Sequence, residues 1–496
     1  MKSDAVGPPA HKYLVVAAQL EQQIQQGLLQ TGQKLPSVRT LSQEMKLSIS
    51  TILQAYYALE SRGLVEAQPQ SGYYVRGEHR ASALPGRPAP HRVPAVPREE
   101  DVDSLLAQVF EQVATPDRLL FSQGGPSPAL LPITKLNKAL LQAQRELPHA
   151  GTSYEPLQGN LLLRRQIARY ALFWGSTLTH EDLVTTEGCT SALAFCLTAV
   201  TKPGDTIAVE SPVYFGVLQL ALSLGLQLLE LPTDPVTGVD LVALAQHLEQ
   251  GQVQACLFTP NFSNPIGCCM PDEHKQQLVH LLEHYQVPLI EDDLFGDLHF
   301  GAHRPKPCKA YDRQGWVLWC SSVSKTLAPG YRVGWVAPGH YLEAVLRLKK
   351  CRAGRSPALT QQAVGNFLAT GRYELHLRRL RQTLALNCAR YQQTILASFP
   401  PDTKVSQPLG GFLLWVELNR EIDTTQFYHA LLDHQIVIAP GRLFSIQPQY
   451  THCLRLSYGL PFDERVEQSL QLMGRLLKDR MPEPELYPEA TLVIEA

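Results

Sequence analysis

The stretch Trp316-Val317-Leu318-Trp319-Cys320-Ser321-Ser322-Val323-Ser324-Lys325-Thr326-Leu327-Ala328-Pro329-Gly330-Tyr331-Arg332-Val333-Gly334-Trp335 limits the fold of this chain more than any other. Its first five residues are apolar and read as a buried strand, and Pro329-Gly330 forces a turn before a second apolar segment. Lys325 therefore stands at a strand end, among hydroxyls, in a fixed place. A desolvated amine beside another cation has a lowered pKa and can condense with an aldehyde. Ser322, Ser324 and Arg332 are placed to hold a phosphate nearby. Ser-x-Ser-Lys alone would suit a surface loop, but the appended Pro-Gly-x-Arg-x-Gly-Trp argues against one.

A chain of 496 residues with 44% hydrophobic content exceeds one ordinary domain and predicts two or three. A formal net charge of −2 speaks against a wholly basic nucleic-acid coat, so any DNA site must be local. The ten cysteines include no C-x-x-C pair, which points to neither a zinc site nor a disulfide framework. No apolar run reaches membrane-spanning length and the N-terminus lacks signal-peptide order. A cytoplasmic protein with no metal and no membrane partner is expected.

Residues 1–78 read as one small domain. Leu14, Val15, Ala18, Leu20, Ile24 and Leu28 recur at roughly helical spacing over Lys12 to Leu29. Ser37, after a proline, is a good N-cap for a helix to about Met45, and Ser48 caps a third over Ile49 to Ser61. That third helix would bury Ile52, Ala55, Tyr56 and Leu59 and turn Ser50, Thr51, Gln54 and Tyr57 outward. Two short strands about a turn at Gln68 to Ser71 complete a winged helix-turn-helix. Lys34, Arg39, Lys46, Arg62 and Arg76 outnumber Glu44, Glu60 and Glu66. Leu35 to Arg39, Thr51 to Tyr56 and Leu59 to Leu64 resemble the motifs of the GntR regulators. That resemblance implies a double-stranded DNA partner, an operator, met by Ser37, Arg39, Ser48, Ser50, Thr51, Gln54 and the wing residue Ser71. Ile49 stands where many members carry an arginine, which leaves more of the contact to Ser48, Ser50, Thr51 and Gln54.

Residues 79–103 hold five prolines without helical or alternating pattern and read as an extended linker. About 25 residues at ~3.1 Å each can reach on the order of 75 Å, enough to set a DNA-binding head over a partner subunit. Residues 104–496 then read as a large α/β domain with a smaller C-terminal α+β lobe.

Within it, the Lys325 segment resembles the cofactor-lysine motif of fold-type I pyridoxal phosphate enzymes, the aspartate aminotransferase superfamily. Several other elements share the resemblance. Tyr154 opens a Tyr-x-x-x-x-Gly-x-x-x-Leu-Arg element whose tyrosine reaches the phosphate of the neighbouring subunit, implying a homodimer with shared sites. Cys189 and Thr190 begin a helix after Gly188 and offer backbone N–H groups to the phosphate. Tyr214 matches the tyrosine stacked on the pyridine ring, and Asn264 the asparagine that donates to the phenolic oxygen. Of the three carboxylates Glu291-Asp292-Asp293, Asp292 matches the one facing the pyridine nitrogen, which joins Lys325 in the catalytic pair. Arg455, a cation on an apolar strand, matches the arginine for a substrate carboxylate, with Gly125 in a flexible loop beside the ligand.

Two features qualify the picture. Relatives carry a tyrosine two or three residues after the aspartate, where Leu294 and Phe295 stand here, so transaminase turnover is expected to be weak or absent. The run Gly371 to Arg381 resembles a signature of MocR-type proteins, which fuse a GntR head to an aminotransferase-like domain. Taken alone it reads as a basic, solvated helical face. The resemblance as a whole implies a regulator that binds pyridoxal 5'-phosphate and senses an amino compound or the cofactor itself. An active aminotransferase with a fused DNA-binding head is the alternative.

Overall fold

The computed structural model describes residues 12–26, 28–30, 32–68, 71–75, 100–113, 115 and 117–480. These residues fall into two compact units, 12–75 and 100–480. The expected linker up to residue 99, Arg76 and the acidic tail after residue 480 lie outside the described residues.

The first unit holds helices α1 (Lys12–Gln25), α2 (Val38–Met45) and α3 (Ile49–Ser61) and the antiparallel strands β1 (Val65–Gln68) and β2 (Gly72–Val75). Ser37 and Ser48 cap α2 and α3 through their hydroxyls. α3 buries Ile52, Ala55, Tyr56 and Leu59, the face its periodicity predicts. α1 differs from expectation. It ends at Gln25 and buries Val16, Ala17 and Leu20, while Leu14, Val15 and Leu28 are exposed. Its Leu-Val-Val-Ala-Ala run is apolar all round, so packing against α3, and not periodicity, selects the buried face. The wing also gains a third segment. Leu35 N–H donates to Tyr73 O at 2.8 Å and Val75 N–H to Gln33 O at 2.9 Å.

The second unit starts earlier than its composition indicates. A helix runs from Glu100 to Val113, taking in residues 100–103 of the expected linker, and Leu105, Leu106 and Val109 enter the core. Gln219 Nε2 donates to Asp103 Oδ1 at 3.3 Å, so packing beyond the segment holds this helix.

At its centre is an eight-stranded sheet. In spatial order its strands are Val184–Thr186, Gly334–Ala337, Val317–Ser322, Leu289–Asp292, Ala255–Phe258, Thr206–Ser211, Gln227–Asp234 and Gly238–Val239. The five from Val317–Ser322 to Gln227–Asp234 run parallel, whereas Gly334–Ala337 is antiparallel to both its neighbours. Helices cover both faces, so the Ala255–Phe258 strand is buried along its whole length and reads as a continuous apolar run. The parallel strands end at one edge, and that edge receives the segments that follow them.

The smaller lobe is a four-stranded antiparallel sheet, ordered Lys404–Val405, Leu413–Glu417, Cys453–Ser457 and Ala439–Pro440. It packs with the helices Thr424–Leu432 and Glu464–Lys478 and with a long helix, Arg372–Ser398. Trp415 pairs with Arg455 in its central register.

Candidate functional site

Lys325 lies in the turn after the Val317–Ser322 strand, at the carboxyl edge of the sheet. Its Nζ donates to Gly124 O, and the glycine pair of that loop lies against it: a Cβ at Gly124 or Gly125 would be 3.9 or 4.0 Å from Nζ. Burial, and then the Arg455 guanidinium, lower the Lys325 amine to about 8. About a tenth of the amine is therefore neutral at pH 7, far more than for an ordinary lysine.

Strand alternation separates the three consecutive carboxylates. Asp293 faces one side of the sheet, held by Arg304 Nη2 at 2.5 Å, Trp319 Nε1 at 2.8 Å and Asn261 Nδ2 at 2.9 Å. Glu291 accepts from the N–H groups of Cys308 and Lys309 at 2.6 and 2.9 Å. Asp292 faces the other side, towards the Cys189–Val200 helix. Its Oδ1 accepts from Leu294 N–H at 3.2 Å and from the Cys189 thiol at 3.4 Å. Burial raises its carboxyl to about 6, and Lys325 acts in the opposite sense.

This shift sets a pH dependence. The native state binds the Asp292 proton more tightly than the unfolded chain does. The stability it contributes is fully present below about 3.8 and is lost as pH rises through about 6. Asp292→Asn should therefore stabilise the ligand-free protein above that range by on the order of 2–3 kcal/mol, seen as a higher urea midpoint. A lower midpoint at neutral pH would show that the bonds from Leu294 and Cys189 outweigh desolvation.

An anion cradle adjoins these groups. Gly188 precedes the Cys189–Val200 helix at φ 90°, and a Cβ there would sit 2.6 Å from Arg332 Nη2. Arg332, itself at φ 52°, donates from Nη2 to Glu187 O at 2.9 Å, so its guanidinium lies over the helix start. A Cβ at Gly334 would come within 2.5 Å of the Gly188 carbonyl carbon, so only glycine lets the strand approach this closely. Thr190 is exposed at the second helical position. Ser322 Oγ accepts from Ser324 N–H at 3.2 Å, and the Ser324 hydroxyl is buried without a partner among the described residues. An oxyanion at this helix start would meet free N–H groups and a guanidinium.

Arg455 is 1% exposed and approaches from the smaller lobe. It donates from Nη1 to Asn264 Oδ1 at 3.0 Å and from Nη2 to Ser122 O, while Nε has no partner among the described residues. Phe444 and Phe215 lie under its guanidinium at 5.2 and 5.8 Å. Burial lowers it to about 10. Tyr214 begins the Phe215–Ser223 helix and feels both Arg455 and Asp292. Lys325, Asp292, Asn264, Tyr214 and Arg455 are thus brought together. Tyr154 is not part of this cluster: it is 87% exposed, with Arg355 5.5 Å over its ring. Phe295 is buried edge-on to Phe412 at 5.4 Å.

The basic run Gly371 to Arg381 does more than the solvated face expected of it. Tyr373 and His376 are buried. Tyr373 Oη bonds to Thr326 Oγ1 at 2.8 Å and to Asp297 Oδ2 at 3.1 Å, and His376 Nε2–H donates to Thr326 O at 2.7 Å. Burial lowers the His376 pKa, opposed by its bond to Thr326 O. Both residues anchor the neighbour of Lys325. Their three-residue spacing, one helical face, was the available signal. The Cys189 thiol and the Gly124 carbonyl were further contacts that residue types alone did not announce.

In the head, Ser37, Arg39, Ser48, Ser50 and Gln54 are exposed and Thr51 is half-buried. Ser48 Oγ bonds to Ser50 Oγ at 2.9 Å and to Thr51 Oγ1 at 2.7 Å, so three of these hydroxyls form one cluster at the α3 start. Ser71 Oγ bonds to Tyr74 Oη at 2.6 Å, and Arg62 is engaged by Glu21 at 2.5 Å.

The family model for bacterial regulatory proteins of the gntR family matches residues 12–75, and that for class I and II aminotransferases matches residues 120–470. The chain is 37% identical to the uncharacterized HTH-type transcriptional regulator YjiR of Escherichia coli (strain K12), covering 93% of this chain and 98% of that one. It is also 37% identical to YdcR of the same organism, covering 95% and 100%. In fold it is similar to the Thermus thermophilus alpha-aminoadipate aminotransferase LysN, solved with N-(5'-phosphopyridoxyl)-L-leucine. There the TM-score is 0.70 at 24% identity, over 76% of this chain and 94% of that one. The chain belongs to the family of HTH-type transcriptional regulators that join a gntR-family helix-turn-helix to a class I and II aminotransferase domain.

Proposed function

We propose that this protein is a cytoplasmic transcriptional regulator that binds pyridoxal 5'-phosphate at Lys325 and senses an amino compound, or the cofactor itself, while residues 1–78 hold operator DNA and the segment up to residue 99 links the two halves. The observation that carries the reading is the convergence at one sheet edge of a lysine lowered to about 8, the carboxyl of Asp292 and the Arg332 cradle. When bound, pyridoxal phosphate supplies an aldehyde and an electron-poor ring. The Lys325 amine would be the group presented to that aldehyde, and the Asp292 carboxyl would keep a proton at the ring nitrogen. Arg332, the Cys189 and Thr190 N–H groups and the Ser322 and Ser324 hydroxyls would hold the phosphate. Asn264 would donate to the phenolic oxygen, Tyr214 would offer its ring to the pyridine, and Arg455 would take the carboxylate of an amino acid beside Gly125. The exposure of Tyr154 supports a homodimer in which it reaches the neighbouring phosphate.

A working aminotransferase is the second reading, favoured by the retention of Lys325, Asp292, Asn264 and Arg455 in one cluster. Phe295 weighs against it, because its ring packs on Phe412 and supplies no hydroxyl. Borohydride treatment of the full-length protein with pyridoxal phosphate should fix the cofactor on the peptide containing Lys325. Arg39→Ala should weaken operator binding and reduce its salt slope by about one. A protein left colourless and unlabelled overturns the cofactor reading, and an unchanged salt slope overturns the role of Arg39.

A further inference from the structure

Charge is divided unevenly over the head. No lysine or arginine occurs between Ile49 and Ser61, while the exposed cations Lys34, Arg39 and Lys46 lie on the segments before α3. Arg62, just past the end of the helix, is engaged by Glu21. On a duplex, contacts to phosphate fix position and contacts to base edges carry sequence, and a recognition helix presents its first residues to those edges. The cations of this head are therefore placed for phosphates, and the side chains that face the bases are neutral.

At the start of α3, hydroxyls surround one apolar residue. Ser48 Oγ accepts from Thr51 N–H at 3.2 Å and bonds the Ser50 and Thr51 hydroxyls at 2.9 and 2.7 Å, so the three are engaged with one another. A hydroxyl both donates and accepts, and it discriminates little between bases. Ile49 is 54% exposed and lies outside the buried face of Ile52, Ala55, Tyr56 and Leu59. Tyr57, the other large exposed side chain of α3, stands about 12 Å further along. The major-groove edges of the bases carry donors, acceptors and one apolar group, the C5-methyl of thymine. Against any other edge, Ile49 would strip water from a polar atom and return no hydrogen bond. We propose that Ile49 is a specificity-determining residue that reads thymine by its methyl group, so that the operator carries an A·T pair where α3 enters the groove, in place of the guanine an arginine would select. Gln54, exposed four residues after Ser50, offers the acceptor and donor that fit an adenine edge. The inference rests on the reading of residues 1–78 as the operator-binding part.

The test selects binders from a randomised duplex pool with the full-length protein and pyridoxal phosphate. The best site is then measured again by fluorescence anisotropy with deoxyuridine in place of each thymine in turn, which keeps the hydrogen-bonding groups and removes the methyl. One thymine in each half-site should prove sensitive, its replacement weakening wild type about fourfold, the worth of one buried methyl. Ile49→Ser should lose that sensitivity and keep the fold, since the residue is exposed, and Ile49→Arg should move the preference at the same position to guanine. Arg39→Ala should weaken the thymine and deoxyuridine duplexes alike. A site bound equally well without any of its methyls, or a thymine sensitivity that survives in Ile49→Ser, overturns this inference alone. A pool with no enriched sequence at low salt overturns operator binding itself, and the inference with it.

Discussion

Lys325→Ala should give a folded, DNA-binding protein that takes no borohydride label from pyridoxal phosphate and does not respond to an amine. The amine is desolvated in the native state and its main partner is the Gly124 carbonyl, so its removal takes away a costly charge together with one hydrogen bond. Thermal stability should change little, because Thr326 stays anchored by Tyr373 and His376. Operator affinity without ligand should match wild type, whereas affinity with cofactor and amine should stay at that basal value. Peptide mapping after reduction makes the result specific. Lys349 is also buried and lowered to about 8, but its Nζ is occupied by Thr185 O at 2.7 Å. Label found on Lys349 in wild-type protein would move the site and sink the assignment of Lys325.

Arg455→Met should separate stability from sensing. A guanidinium at 1% exposure, with Nε unpaired and no carboxylate beside it among the described residues, is an incompletely satisfied buried charge. Replacing such a group by an apolar side chain of similar length is often neutral or stabilising, so the melting temperature should hold or rise. The affinity for an amino acid effector should fall roughly 100-fold, because a charge-assisted fork to its carboxylate is lost. Cofactor labelling and basal operator binding should persist. A variant that responds to the amino acid as wild type does would remove Arg455 from sensing and leave the cofactor, or an amine without a carboxylate, as the signal.

Much of this architecture is legible because local chemistry and tertiary need agree. The hydroxyls of Ser37 and Ser48 cap helices in the structure as their positions imply, and the α3 face is that of its periodicity. The strand-then-turn pattern likewise puts Lys325, Asn264 and Asp292 at the sheet edge. The misses share one cause, which is that the deciding partner lies far away in the chain. Within 100–103 only Val102 is apolar, too little to announce a helix, and the fully buried residues follow from Leu105 onward. The basic residues around Tyr373 and His376 look solvated until Thr326, about fifty residues earlier, is brought beneath them. Which of two adjacent aspartates faces the helix is set by strand phase, and resemblance, not composition, pointed to Asp292.

The long helix Arg372–Ser398 has a mechanical consequence. At one end, Tyr373 and His376 grip Thr326. Further along, Asn387 Nδ2 donates to Tyr458 O at 3.1 Å and to Leu460 O at 2.8 Å, just past the strand that carries Arg455. From His376 to Asn387 the helix rises about 16 Å. One strut thus braces both the lysine turn and the arginine strand, so the spacing between Lys325 and Arg455 is held by a single helix.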